Sequence, residues 1–201
     1  MSAHTGNVPA NGAALSPHVV ERVTRETEIR VEIARGTGRA TVDTTLPFLD
    51  HMVVTLARYA SLDLQLQARG DLKHHLIEDV GIVIGTAVAG LALPTIARYG
   101  DRTIPMDDAL VQAVIDVGGR AFYEGPLPSR LYDHWMRSFS DHARATLHLR
   151  VLRGQDRHHV VEAAFKSLGL ALRDALADGD GVFSTKGRVE TAVGARTGSP
   201  S

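Results

Sequence analysis

LDLQLQARGDLKHHLIE, residues 62–78, is the stretch on which the reading of the chain turns. Its first seven residues alternate apolar with polar, as a strand does when one face is buried and the other wet. Gly70-Asp71 supplies a turn. From His75 to about Leu93 the residues are apolar nearly all round, which describes a helix buried against a sheet. The same order returns downstream. ATLHLRVL at residues 145–152 alternates, and His158-His159 opens a second helix that reaches about Ala177, with Glu162 in the place of Glu78.

Working outward, other landmarks recur in the same order. Gly38-Arg39-Ala40 returns as Gly119-Arg120-Ala121, Leu46-Pro47 as Leu127-Pro128, and Asp50-His51 as Asp133-His134. The offset drifts only from 81 to 84 residues, too long for a solenoid repeat of about 20–50 residues, so each unit is a small α/β half. In the first half VVERVTRETEIRVEIA reads as a strand, and GTG turns it into RATVDTTL to make a hairpin. FLDHMVVTLARYA then has helical spacing after Pro47. The second half follows with ALVQAVIDV, RAFYEG and a helix from about Arg130 to His142. The expected fold is α+β: duplicated ββαβα halves at 19–102 and 103–190, each sheet covered by helices on one face. Residues 1–18 and 191–201, rich in Gly, Pro, Ala and Ser, are expected to be disordered tails.

Composition narrows the chemistry. Among 201 residues, Lys plus Arg number 22 against 23 Asp plus Glu, so no charge excess points to nucleic acid or an acidic membrane. The absence of cysteine excludes disulfides and thiolate metal sites and fits a cytoplasmic setting. No secretory signal pattern opens the sequence.

Six of the ten histidines occupy repeated positions: His51, His74, His75, His134, His158 and His159. Neighbours on a helix point about 100° apart, whereas residues three or four apart share a face. Each His-His-x-x-Glu turn therefore offers one histidine with its glutamate in one direction and the second histidine in another. A capping role would account for one such pair. It does not account for two pairs with the same glutamate spacing, each preceded by an Asp-His 23 or 24 residues earlier. Six imidazoles with Glu78 and Glu162 divide into three histidines and one glutamate for each of two ions. That leaves two positions open on an octahedral ion, which suits Mn²⁺ or Fe²⁺, whereas tetrahedral Zn²⁺ would be filled by the protein alone.

With these residues in place the chain resembles the imidazoleglycerol-phosphate dehydratase family, along nearly its whole ordered length. The resemblance rests on Val23-Thr24-Arg25-Glu26-Thr27, Pro47-Phe48-Leu49-Asp50-His51-Met52, the two His-His-x-x-Glu turns, Arg98-Tyr99-Gly100-Asp101, Gly119-Arg120, Phe165-Lys166 and Ser184-Thr185-Lys186-Gly187. It implies a 24-subunit homo-oligomer, two Mn²⁺ per chain at subunit interfaces, and a small phosphate-ester substrate. It also implies substrate contacts from Glu26 and a phosphate pocket of Arg98, Arg120, Lys166, Ser184 and Lys186. The implied reaction converts imidazole glycerol phosphate to imidazole acetol phosphate in histidine biosynthesis. Glu26 is the leading acid/base, ahead of Glu78 and Glu162, which ligation would occupy. Three departures from the family pattern bear on the site: a shortened loop between Gly70 and His74, Val54-Thr55 where an acidic residue and glutamine are usual, and Val53-Val54, which lowers the polarity beside His51. The alternatives are a related dehydratase with altered substrate, a dinuclear phosphoester hydrolase, or a non-catalytic metal-storing shell. A hydrolase of that kind favours more carboxylate ligands, and a storage shell leaves the basic residues without a role.

Overall fold

The computed structural model describes residues 17–179. The first half contains β1 (His18–Val23), β2 (Thr27–Arg35), β3 (Ala40–Asp43), α1 (Pro47–Ala60), β4 (Leu62–Gly70) and α2 (Lys73–Leu91). The second contains β5 (Tyr99–Met106), β6 (Ala109–Asp116), β7 (Phe122–Glu124), α3 (Arg130–Ala143), β8 (Thr146–Arg153) and α4 (Arg157–Ala175). Their sheets have equivalent orders, β1-β2-β4-β3 and β5-β6-β8-β7, and in each the last pair is parallel and the others antiparallel. The α+β class and the duplication are as expected, and the ββαβα order holds in each half with one more strand at its head.

That extra strand corrects the local reading. The run 19–34 is two strands, and the hairpin is β1 with β2, whereas β3 lies parallel to β4. The reversal contains neither Gly nor Pro. It is made by the Thr24 hydroxyl, which accepts the N–H groups of Glu26 at 3.0 Å and Thr27 at 2.9 Å. In the second half, β5 also went unread, so the expected division at 102/103 falls inside a strand of the second sheet. His18, assigned to the N-terminal tail, begins β1; the rest of that expected tail, apart from Pro17, and the C-terminal one lie outside the described residues.

The helices fill the space between the sheets. Ile29, Val31 and Ile33 of β2 and Leu62, Leu64 and Leu66 of β4 point inward from one side, and Val111, Ala113, Ile115, Leu147 and Leu149 from the other. The helices pair across the halves, α2 on α3 and α1 on α4, so one continuous core serves both. By length and composition α2 could cross a membrane, but it is mostly buried here, as a core helix is. The sheets' outer faces are both mixed: the first carries Glu28, Arg30, Gln65 and Gln67 beside exposed Val19 and Val23, and the second carries Gln112 and Arg150 beside exposed Val114 and Phe122.

Close approach of the paired helices depends on glycine. A Cβ at Gly85 would lie 2.5 Å from the Phe139 carbonyl oxygen, one at Gly81 2.8 Å from that of Trp135, and one at Gly169 2.9 Å from that of Leu56. These are backbone contacts that cannot swing away. Helix propensity alone favours Gly→Ala by about 1 kcal/mol. Overpacking of this kind costs about 1–3 kcal/mol, so the steric term wins at Gly85. Gly85→Ala is therefore expected to lower stability in urea unfolding. Gly90→Ala, at the exposed end of the same helix, faces only the His18 ring and is expected to be neutral or stabilising.

Candidate metal centre

The Asp of each Asp-His pair anchors a helix start. Asp50 accepts the Thr44 N–H at 2.8 Å and its hydroxyl at 2.6 Å, and Asp133 accepts the Leu127 N–H at 2.9 Å and the Tyr123 hydroxyl at 2.7 Å. Each carboxylate ties the preceding loop to the first turns of α1 or α3. The next residue, rotated by about 100°, then faces outward. In this way His51 and His134 are presented at the exposed helix ends.

Helix pairing across the halves brings each of them to the opposite half's His-His-x-x-Glu turn. His51 of α1 joins His158 and Glu162 of α4; His134 of α3 joins His74 and Glu78 of α2. Within each group the candidate ligand atoms lie within 4.8 Å of one another. Glu162 Oε2 is 3.2 Å from His158 Nε2 and 3.4 Å from His51 Nε2, while His74 Nε2 is 3.3 Å from Glu78 Oε2 and 3.2 Å from His134 Nδ1. Two imidazoles and one carboxylate converging at this range form a donor set that suits a divalent transition metal.

The two groups differ electrostatically. Glu162 is buried and Lys166, one turn further along α4, holds its other oxygen at 2.8 Å. Burial would raise this carboxyl, yet the Lys166 ammonium and the neighbouring His51 bring it below the usual carboxylate range. Glu78 is half-exposed, and position 82, equivalent to Lys166, is Ile82.

His75 and His159 stand apart from both groups. His75 Nδ1 is 2.8 Å from Asp71, and His159 Nδ1 is 2.7 Å from Asp108. These bonds raise both imidazoles above the usual histidine range. Asp71 lies four residues before His75, a spacing the sequence displayed. Asp108 comes from the β5–β6 turn, 51 residues away, and no local pattern signalled it. The short loop before α2 thus has a use, because Asp71 also accepts the Leu72 N–H at 2.6 Å.

The residues implied in substrate binding are distributed. Glu26, on the β1–β2 turn, places a carboxylate oxygen 3.7 Å from His75 Nδ1. Arg98 is gripped side-on by Asp116, at 2.5 Å and 2.9 Å, beside Gly119; neighbouring Arg120 is exposed. The Asp116 carboxylate holds the Arg98 guanidinium above its ordinary pKa. Lys166 sits at the Glu162 group instead of with the arginines. Ser184 and Lys186 lie outside the described residues. Thr55 is a buried position on α1, as is Val53, so the departure at Thr55 alters the core; only Val54 remains partly exposed.

Comparison with known proteins is consistent along the chain. The family model described as imidazoleglycerol-phosphate dehydratase matches residues 44–172. A protein of that name from Pyrobaculum aerophilum is 44% identical over 182 residues, covering 83% of this chain and 96% of the relative. One from Desulforudis audaxviator is 42% identical over 186 residues, covering 84% and 95% respectively. The crystal structure of the Pyrococcus furiosus protein, in complex with (S)-C348, has a TM-score of 0.76 at 36% identity, with 85% of this chain and all of that one covered. The Staphylococcus aureus enzyme gives 0.73 at 30% identity, covering 81% of this chain and 99% of that one. Sequence, fold and site chemistry converge, and the chain belongs to the imidazoleglycerol-phosphate dehydratase family.

Proposed function

We propose that this chain is a metal-dependent dehydratase that converts imidazole glycerol phosphate to imidazole acetol phosphate in the cytoplasm. The observation that supports the metal dependence is the pair of His-His-Glu groups, each built from both halves. His51, His158 and Glu162 would hold one Mn²⁺, and His74, Glu78 and His134 a second. His75 and His159, directed away from these groups, would complete the sites of neighbouring subunits in a homo-oligomer, taken as a 24-mer from the family. Metal at these positions supplies Lewis acidity to the substrate's imidazole and hydroxyl groups.

The protein's own residues carry the remaining work. Glu26 is the acid/base, reaching the substrate from the β1–β2 turn. The bond from the ring-bearing carbon to its hydroxyl breaks, and the hydroxyl leaves as water with a proton given by Glu26. Glu26 takes the proton from the adjacent carbon, and the enol left behind becomes the ketone. Phosphate is held by Arg98, Arg120, Lys166, Ser184 and Lys186. Guanidinium groups provide paired donors for its oxygens, and Asp116 fixes the plane of one of them.

Ketone formation from imidazole glycerol phosphate, followed before and after chelation and with Mn²⁺ restored, is the direct test. Turnover that survives complete metal removal would end the metal-dependent reading. Glu26→Gln is expected to keep its metal content and lose about 10²-fold or more in turnover, the usual scale for an acid/base. Loss of metal from that variant would make Glu26 a ligand instead. Ligands shared between subunits also make metal binding and association one free energy. Light scattering should therefore show chelated protein growing to a larger particle on addition of Mn²⁺, and an unchanged mass would count against interfacial sites.

A further inference from the structure

One hydrogen-bonded network in the first half, centred on the buried Asp79 and Thr27, has no counterpart among the described residues of the second. Asp79 of α2, one residue beyond Glu78, accepts the hydroxyl hydrogen of Thr27 at the head of β2, and Arg22 of β1 lies 3.2 Å from the same carboxylate oxygen. Thr27 has a single hydroxyl hydrogen, and Asp79 takes it. The 3.2 Å contact between the Thr24 and Thr27 hydroxyls therefore has Thr24 as its donor, and the Thr27 carbonyl, 3.5 Å away, is the second acceptor within reach of that hydrogen. The Thr24 oxygen in turn accepts the N–H groups of Glu26 and Thr27 at 3.0 and 2.9 Å. The Glu26 carbonyl accepts the Asp71 N–H at 3.0 Å. Both sides of residue 26 are thus tied to α2 or to the loop that leads into it.

The duplication tests whether this network is needed for the fold. Position 163, which follows Glu162 as Asp79 follows Glu78, is Ala163, and the head of β6 is Ala109; both are buried. The second half reaches the same sheet order without the network. What differs is the turn each hairpin presents. The β5–β6 turn sets Asp108 and Asp107 directly on His159, at 2.7 and 3.2 Å, whereas the β1–β2 turn carries Glu26.

We infer that Asp79 is a positioning residue for Glu26, acting through Thr27 and Thr24 to fix the β1–β2 turn on the helix that bears His74, His75 and Glu78. The inference rests on the acid/base role proposed above for Glu26. A proton-transfer group works only within hydrogen-bond reach of its target, and misplacement by about 1 Å costs on the order of 10²-fold.

Thr27→Val keeps the shape and removes the donor, and Thr27→Ser restores it. In the metal-loaded protein, Thr27→Val is expected to lower kcat by about 10- to 100-fold, the scale for losing a partner that orients a functional group. KM should move by less than about twofold, and metal content should not change. Hydrogen exchange at the Glu26 and Thr27 amides should speed up while the α2 amides stay protected, and Thr27→Ser should recover most of the turnover. The double variant Thr27→Ala/Asp79→Ala, which copies the alanine pair of the second half, should fold and lose turnover as Thr27→Val does. In a Glu26→Gln background Thr27→Val should cost nothing more. Equal losses in both backgrounds, or unchanged exchange at residues 26 and 27, would overturn the inference. If Glu26→Gln alone retains full turnover, it is the acid/base role that fails. Exchange then decides the anchoring separately: faster exchange supports it and unchanged exchange removes it.

Discussion

The close packing of helices from opposite halves is the constraint on which the rest of the structure depends. Neither sheet can bury its inner face alone, and the two share one layer of four helices. Because α1 packs on α4 and α2 on α3, a histidine from one half meets a His-His-x-x-Glu turn from the other. Gly81, Gly85 and Gly169 set how near the helix backbones come. A bulkier contact would separate the helix ends that carry the histidines, so core packing and site geometry are coupled.

Duplication set up two equivalent groups, and the halves then diverged around them. In one, Glu162 is buried and its second oxygen is held by Lys166. In the other, Glu78 is half-exposed, with an apolar residue at the corresponding place. A buried carboxylate needs such a partner, since desolvation otherwise favours its neutral, non-ligating form. The hairpin turns diverged as well. One secures its neighbouring histidine with two aspartates, and the other is braced by hydroxyls and holds its glutamate at a looser 3.7 Å from His75. The scaffold is symmetric and the chemistry presented on it is not.

How much of this was legible in the sequence follows from how local each cause is. The strand and helix containing His74 and Glu78 were readable because alternation and helical spacing act over a few residues. The β1–β2 reversal was not, because the alternation runs up to a turn made by a threonine hydroxyl, without Gly or Pro to mark it. The parallel placement of β3 beside β4 is a non-local outcome that reads in sequence much like a hairpin. The strand β5 was hidden by Gly100 and Pro105 within it. For the site, the candidate residue types were evident from their recurrence, but the division into groups was not. It is fixed by the crossing of α1 with α4 and of α2 with α3, which no spacing within one half encodes.

The two histidines that join neither group complete the physical picture. A ring nitrogen bonded to a carboxylate fixes the tautomer, carrying the proton on that side and leaving the other nitrogen basic. Asp71 does this for His75 and Asp108 for His159, both through Nδ1. For His75 such an arrangement prepares Nε2 as an electron-pair donor toward something outside its own half, whereas His159 also has the Asp107 carboxylate 3.2 Å from Nε2 and bonds both aspartates only with a proton on each ring nitrogen. Under the proposed function the occupant is a metal held by a neighbouring subunit. An incoming ion would then compete with Asp107 for Nε2 of His159, whereas at His75 the second carboxylate, Glu26, lies 3.7 Å from Nδ1 instead. Because Asp107 stands on the hairpin turn, occupancy at His159 would also release a contact on the second half's hairpin. Under the proposed function, assembly and local turn structure would thereby be linked through one imidazole, on the half whose turn lacks the hydroxyl brace found in the other.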